Sequence, residues 1–124
     1  MQKEKIILLV DDDASILNAT KAGLVARGFN VQAAEGADAA MHALQSLEPS
    51  IIVSDLVMPG TNGFELFQRV KKETSYQSVP FVFLTAVDDY HAQKFGKELG
   101  SAAYITKPVD LDELVQIIKD RLGE

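Results

Sequence analysis

The stretch Ile51–Gly60 reads IIVSDLVMPG: strand-forming apolar residues carry one carboxylate, Asp55, into a turn imposed by Pro59 and Gly60. Ile51, Ile52 and Val53 have the continuous apolar character of a strand buried on both faces. Open α/β sheets take their ligands at the carboxyl ends of parallel strands, so Asp55 stands where chemistry would be done. An aspartate that merely opens a turn would look the same in isolation, so the flanking segments decide.

On the amino-terminal side, Lys5–Val10 (KIILLV) is short and apolar enough for another buried strand. It runs into Asp11, Asp12 and Asp13, after which Ile16, Leu17, Thr20 and Leu24 recur at helical spacing until Gly28. Asp13 suits the N-cap of that helix, whereas Asp11 and Asp12 sit at the strand's carboxyl end. Phe29–Ala33 alternates as a second strand, and a helix is predicted over Gly36–Leu47 with Ala40, Ala43, Leu44 and Leu47 on one face. His42 on that helix reads as a solvated residue.

On the carboxyl-terminal side, Asn62 and Glu65 form a capping-box-like start to a helix carrying Phe64, Phe67 and Val70, and KKETSYQS after it reads as a loop. Pro80–Thr85 (PFVFLT) is a further buried strand ending in a hydroxyl. Asp88 or Asp89 can cap a helix with Ala92, Phe95, Gly96 and Leu99 inward and Gly100 at its end. Ala102–Thr106 is the last strand, closed by Lys107 and Pro108. Asp110 and Glu113 then open a helix striped by Leu111, Leu114, Val115, Ile118 and Leu122.

Five successive strand-then-helix units predict an α/β fold, a parallel sheet covered by helices on both faces through right-handed crossovers. All carboxyl ends of such a sheet emerge on one edge, which gathers Asp11, Asp12, Asp55, Thr85 and Lys107. The 124 residues fit one domain over 1–124. The absence of cysteine excludes a disulfide scaffold, a thiolate metal site and thiol catalysis. A formal net charge of −6 argues against direct nucleic-acid binding. With no signal-like apolar run after MQKEKI and no stretch able to span a bilayer, the expectation is a soluble cytoplasmic protein without membrane contact.

Three carboxylates converging in one pocket repel one another unless a cation intervenes. Oxygen donors without histidine or cysteine suit magnesium, Mg2+, which keeps waters and completes its shell with phosphate oxygens. Lys107 and Thr85 are the kinds of group that hold a phosphoryl oxygen, and a carboxylate can itself be the nucleophile that forms an aspartyl phosphate. The constellation reads as phosphoryl transfer to an aspartate.

LLVDDD (8–13), SDLVMPGTNG (54–63), LTA (84–86) and YITKP (104–108) fall in order along the chain. Through them the whole chain resembles the receiver domain of two-component response regulators, of the chemotaxis-regulator type. The resemblance implies a flavodoxin-like, doubly wound (βα)5 fold with strand order 2-1-3-4-5. It implies that Asp55 accepts the phosphoryl group and that Asp12 and Asp55 bind magnesium, with Asp11 acting through water and the Val57 carbonyl as a further ligand. Lys107 would pair with the phosphoryl oxygens, and the Lys107–Pro108 bond would be cis. Thr85 would shift its hydroxyl onto the phosphoryl group while Tyr104 rotates inward after it. Asp13 and His91 match no required position.

A sensor histidine kinase or a histidine phosphotransfer domain would be the donor, and a downstream protein or an output domain elsewhere in a longer chain the recipient of the signal. The output face would comprise the helix expected over 88–100, the last strand and the final helix. A homodimer through that face would lack the acidic pair many relatives carry where this chain has Ala102 and Ala103. Such a domain is not an enzyme in the ordinary sense, although it takes part in its own phosphorylation and slow autodephosphorylation. Val57 and Val87 offer no polar group to orient a hydrolytic water. The rival reading is a phosphatase of the haloacid dehalogenase type, with Asp11 as nucleophile and Asp13 completing an Asp-x-Asp loop.

Overall fold

The computed structural model describes residues 5–56, 63–72, 78–85 and 103–123. Five strands form one sheet: β1 (Ile6–Asp11), β2 (Asn30–Glu35), β3 (Ile51–Asp55), β4 (Phe81–Thr85) and β5 (Ala103–Thr106). Their order is β2-β1-β3-β4-β5, and every neighbouring pair is parallel. The described helices are α1 (Ala14–Ala26), α2 (Ala37–Ala43), α3 (Gly63–Lys72) and α4 (Leu111–Leu122). This is the doubly wound flavodoxin-like arrangement that the receiver-domain resemblance implied.

Alternation along the buried strands divides the core in two, because successive side chains of a strand leave opposite faces. Leu8, Val10, Ile52, Phe81 and Phe83 pack with Ala40 and Leu44 around α2 and with Leu66, Phe67 and Val70 of α3. Ile7, Leu9, Ile51, Val53, Val82, Leu84 and Ile105 pack with Leu17 and Leu24 of α1 and Leu114 and Ile118 of α4. Burying one such side chain contributes about 1.5–3 kcal/mol, so the two layers outweigh anything polar in the fold.

The helix starts follow the expected chemistry. The Asp13 carboxylate accepts from the N–H groups of Ser15 and Ile16, and that of Asp110 from Asp112 and Glu113, satisfying donors that have no partner inside their helices. Gly28, at φ +91°, ends the turn after α1.

Several boundaries differ from the sequence reading. β1 continues through Asp11, and β2 runs Asn30–Glu35 rather than 29–33, because its register with β1 extends to Asp11↔Glu35. The α-helical part of α2 stops at Ala43, and the chain tightens through bonds from Gln45 N–H to His42 O and from Ser46 N–H to Ala43 O. Leu44 and Leu47 still reach the core. Lys71 and Lys72, read as loop, belong to α3, where the Lys71 ammonium donates to Val79 O at 2.6 Å. Ile16, which shares the helical spacing of Leu17 and Leu24, is 42 % exposed, since Leu17 and Leu24 carry the inner face of α1. The turn at Pro59 and Gly60, the Asn62 cap, the Phe64 side chain, Ala102 and the helix expected over 88–100, with His91, lie outside the described residues.

Candidate functional site

In a doubly wound sheet the crevice opens where successive connections leave in opposite directions, here between the carboxyl ends of β1 and β3. β1 ends in Asp11 and β3 in Asp55. By strand alternation Asp11 follows Ile7 and Leu9, and Asp55 follows Ile51 and Val53, so both carboxylates leave the sheet on one side. Asp11 is 2 % and Asp55 6 % exposed, and Asp12 is the most open of the three acids.

Asp11, Asp12 and Asp55 each offer a carboxylate oxygen such that these atoms lie within 4.8 Å of one another. Burial holds the Asp11 carboxyl above the ordinary carboxylate range. The charges of Asp55 and Asp12 push it the same way, while the Asp13 N–H and the Lys107 charge oppose the rise. Asp11 Oδ1 accepts the Asp13 N–H at 2.9 Å. Asp13 itself turns away to cap α1, which removes it from any Asp-x-Asp pair with Asp11.

Lys107 approaches from the end of β5, and its ammonium lies 3.0 Å from Asp55 Oδ1. Its backbone N–H donates to Thr85 O at 2.7 Å, which ties it to the end of β4, and the following bond to Pro108 is cis. Thr85, 1 % exposed at the end of β4, has a buried hydroxyl with no hydrogen-bond partner among the described residues. A buried hydroxyl without a partner is costly, which suits it to a ligand oxygen arriving at this edge. Tyr104, on β5, stacks on Phe83 with centroids 5.5 Å apart and planes at 29°, and its hydroxyl is buried. Phe83 in turn stacks on Phe81 at 5.3 Å.

Asp11, Asp12, Asp55, Lys107 and Thr85 thus come to one edge, with Tyr104 beside them on the sheet face. Val57 and Val87 lie outside the described residues. The donor set is all oxygen and dense in negative charge, which fits a small hard divalent cation better than a soft one.

Two neighbours of Asp55 escaped the sequence reading. Ser54 is fully buried, and its hydroxyl donates to the Asp55 backbone carbonyl at 2.9 Å. Gly63 packs so closely over the same carbonyl that a Cβ there would lie 2.7 Å from Asp55 O and 2.9 Å from Leu56 Cα. A serine inside an apolar strand run and a glycine at a helix start were the available signals.

Residues 7–119 match the family model described as "Response regulator receiver domain". The chain is 35% identical over 118 residues to the response regulator Rre1 of Synechocystis, covering 94% of this chain and 51% of that protein. It is 31% identical over 112 residues to the protein PilH of Pseudomonas aeruginosa, covering 90% of this chain and 93% of that one. The chain therefore spans about half the length of Rre1 but nearly all of PilH. The solved chemotaxis response regulator CheY4 of Vibrio cholerae superposes with a TM-score of 0.87 at 27% identity, over 97% of this chain and 100% of that one.

Proposed function

This chain belongs to the response regulator receiver domain family, a family of two-component signalling proteins rather than classical enzymes, and on that premise we propose that residues 1–124 act as a phosphoacceptor switch with Asp55 as the acceptor. The observation that carries the reading is the buried Asp55 carboxylate, 3.0 Å from the Lys107 ammonium and clustered with Asp11 and Asp12. An Asp55 carboxylate oxygen attacks phosphorus, the bond from phosphorus to the donor atom breaks, and the donor leaves with that electron pair. The donor is the phosphohistidine of a sensor kinase or phosphotransfer domain, or a small acyl phosphate.

Asp11, Asp12 and Asp55, with the Val57 carbonyl that the family resemblance implies, would hold Mg2+. When bound, it supplies positive charge against the carboxylates and the incoming phosphoryl oxygens. Lys107 contributes a second positive charge from β5 and orients the acceptor through its ion pair. The Thr85 hydroxyl takes a phosphoryl oxygen as its missing partner. Tyr104 follows Thr85, and the change reaches the outer surface of β5 and α4. Recipients are a downstream protein or an output domain elsewhere in a longer polypeptide. Self-association through that surface would be the homodimeric form of the same output. The reading carries a cytoplasmic location, where kinase and ATP meet. No helix among the described residues is long and apolar enough to cross a membrane.

The test is incubation with acetyl phosphate and Mg2+, read by intact mass. Wild type gains one phosphoryl group; Asp55→Asn does not, and chelation prevents the gain. Labelling that survives chelation, or that Asp55→Asn retains at the wild-type level, refutes the assignment.

A further inference from the structure

We infer that Ser54 is a positioning residue for the acceptor, its hydroxyl fixing the peptide unit that carries the Asp55 carboxylate. This rests on Asp55 being the acceptor. Ser54 lies in a row across the sheet with Val10 on β1 and Phe83 on β4, and Phe83 is paired in turn with Tyr104 on β5. An apolar side chain would satisfy that row at no desolvation cost, whereas a fully buried hydroxyl needs a partner. The partner it takes is the Asp55 carbonyl, at 2.9 Å.

The need for such a bond follows from where the ladder stops. The β1–β3 register ends at Val10↔Ser54, so Asp55 lies one residue beyond the last paired position with β1. Towards β4 the chain stays tied, because Leu56 N–H donates to Leu84 O at 3.0 Å. The Asp55 carbonyl is then held from one direction by the Ser54 hydroxyl and covered from another by Gly63, whose N–H donates to Leu56 O at 2.8 Å. With the peptide plane after Asp55 held on both sides and the chain before it paired with β4, the Cα–Cβ direction of Asp55 is fixed, and with it the carboxylate 3.0 Å from Lys107. An in-line displacement is sensitive to that direction, since small misplacements of a nucleophile cost rate out of proportion to their size. Ser54 points to the opposite sheet face from the Asp55 side chain, so it acts on orientation without touching donor or metal.

The experiment measures labelling by acetyl phosphate in wild type, Asp55→Asn, Ser54→Ala, Ser54→Thr and Ser54→Cys, each with its thermal unfolding midpoint. The reaction forms the bond from Asp55 oxygen to phosphorus and releases acetate. Loss of one neutral hydrogen bond lowers the maximal rate of Ser54→Ala roughly fivefold. The half-saturating concentrations of acetyl phosphate and Mg2+ stay at wild-type values, and Ser54→Thr, which keeps the donor, restores the rate. Ser54→Cys, a weaker donor, falls between Ser54→Ala and wild type, and it decides the matter if either other variant does not fold.

A wild-type maximal rate in folded Ser54→Ala or Ser54→Cys overturns the positioning role alone. So does a loss accounted for by the unfolded fraction, or one that folded Ser54→Thr does not restore. An unlabelled wild type, or labelling of Asp55→Asn at the wild-type level, removes the acceptor assignment and the positioning role with it.

Discussion

At the scale of single residues, the site sets a buried negative charge against one cation and one hydroxyl. Lys107 is the direct ionic partner of Asp55, yet it reaches in from β5, a strand that does not adjoin β3. Removing it leaves Asp55 and the neighbouring carboxylates in place, so phosphorylation by acetyl phosphate persists in Lys107→Ala. It slows about tenfold, the worth of one charge-assisted hydrogen bond of roughly 1.5 kcal/mol. On the proposed reading, the variant would lose the tie between the phosphoryl group and β5. Amide resonances of β5 and α4 that shift on phosphorylation of the wild type should therefore stay near their unphosphorylated positions in fully labelled Lys107→Ala. A wild-type pattern of shifts would show that β5 is moved through some other contact.

At the scale of elements, a run of packed aromatic rings lies along β4 and β5 beside the site. Phe81 and Phe83 stand on the same face of β4, and Tyr104 stacks on Phe83 while Phe67 of α3 meets Phe81 edge-on at 5.1 Å. Each such pair contributes about 1 kcal/mol beyond simple burial, enough to hold Tyr104 against the sheet beside Thr85. Tyr104→Ala should leave Asp55 labelling intact while reducing the phosphorylation-dependent shifts of α4 amides; equal loss of labelling and shifts would make Tyr104 a packing residue only. The strands and the end helices were legible in the sequence because their signals are local: apolar runs for β1, β3 and β4, and side-chain caps at Asp13 and Asp110 for α1 and α4. Asp11, Asp55, Thr85 and Lys107 were legible for a related reason, since the first three each end a strand, Lys107 directly follows one, and parallel strands share an edge. Ser54 and Gly63 were not, because their importance lies in a 2.9 Å bond and a close backbone approach that no residue pattern expresses. The exposure of Ile16 escaped for the same reason: helical spacing marks an apolar stripe, but the docking of α1 on the sheet chooses which residues turn inward.

At the scale of the whole molecule, the acidic cluster is a charge the fold must carry, in a chain whose formal net charge is already −6. The Asp11 carboxyl pKa is raised by burial and by the charges of Asp55 and Asp12, so its ionised form costs the folded state free energy relative to the unfolded chain. Asp11→Asn removes that charge and keeps a side-chain oxygen able to accept the Asp13 N–H. Without divalent cation, then, the variant should unfold at a higher temperature than wild type. Added Mg2+ reverses the order. A ligand bound only to the folded state stabilises it by about 2.7 kcal/mol at a hundredfold excess over its dissociation constant, a sizeable share of the 5–15 kcal/mol typical of a domain. Asp11→Asn, with one carboxylate of three removed, should gain distinctly less. Unfolding midpoints measured with chelator and with excess Mg2+ should therefore cross between the two proteins. Parallel increases in both would mean that the cation binds elsewhere than among Asp11, Asp12 and Asp55, and a less stable variant in chelator would mean that the Asp11 charge is already compensated within the fold.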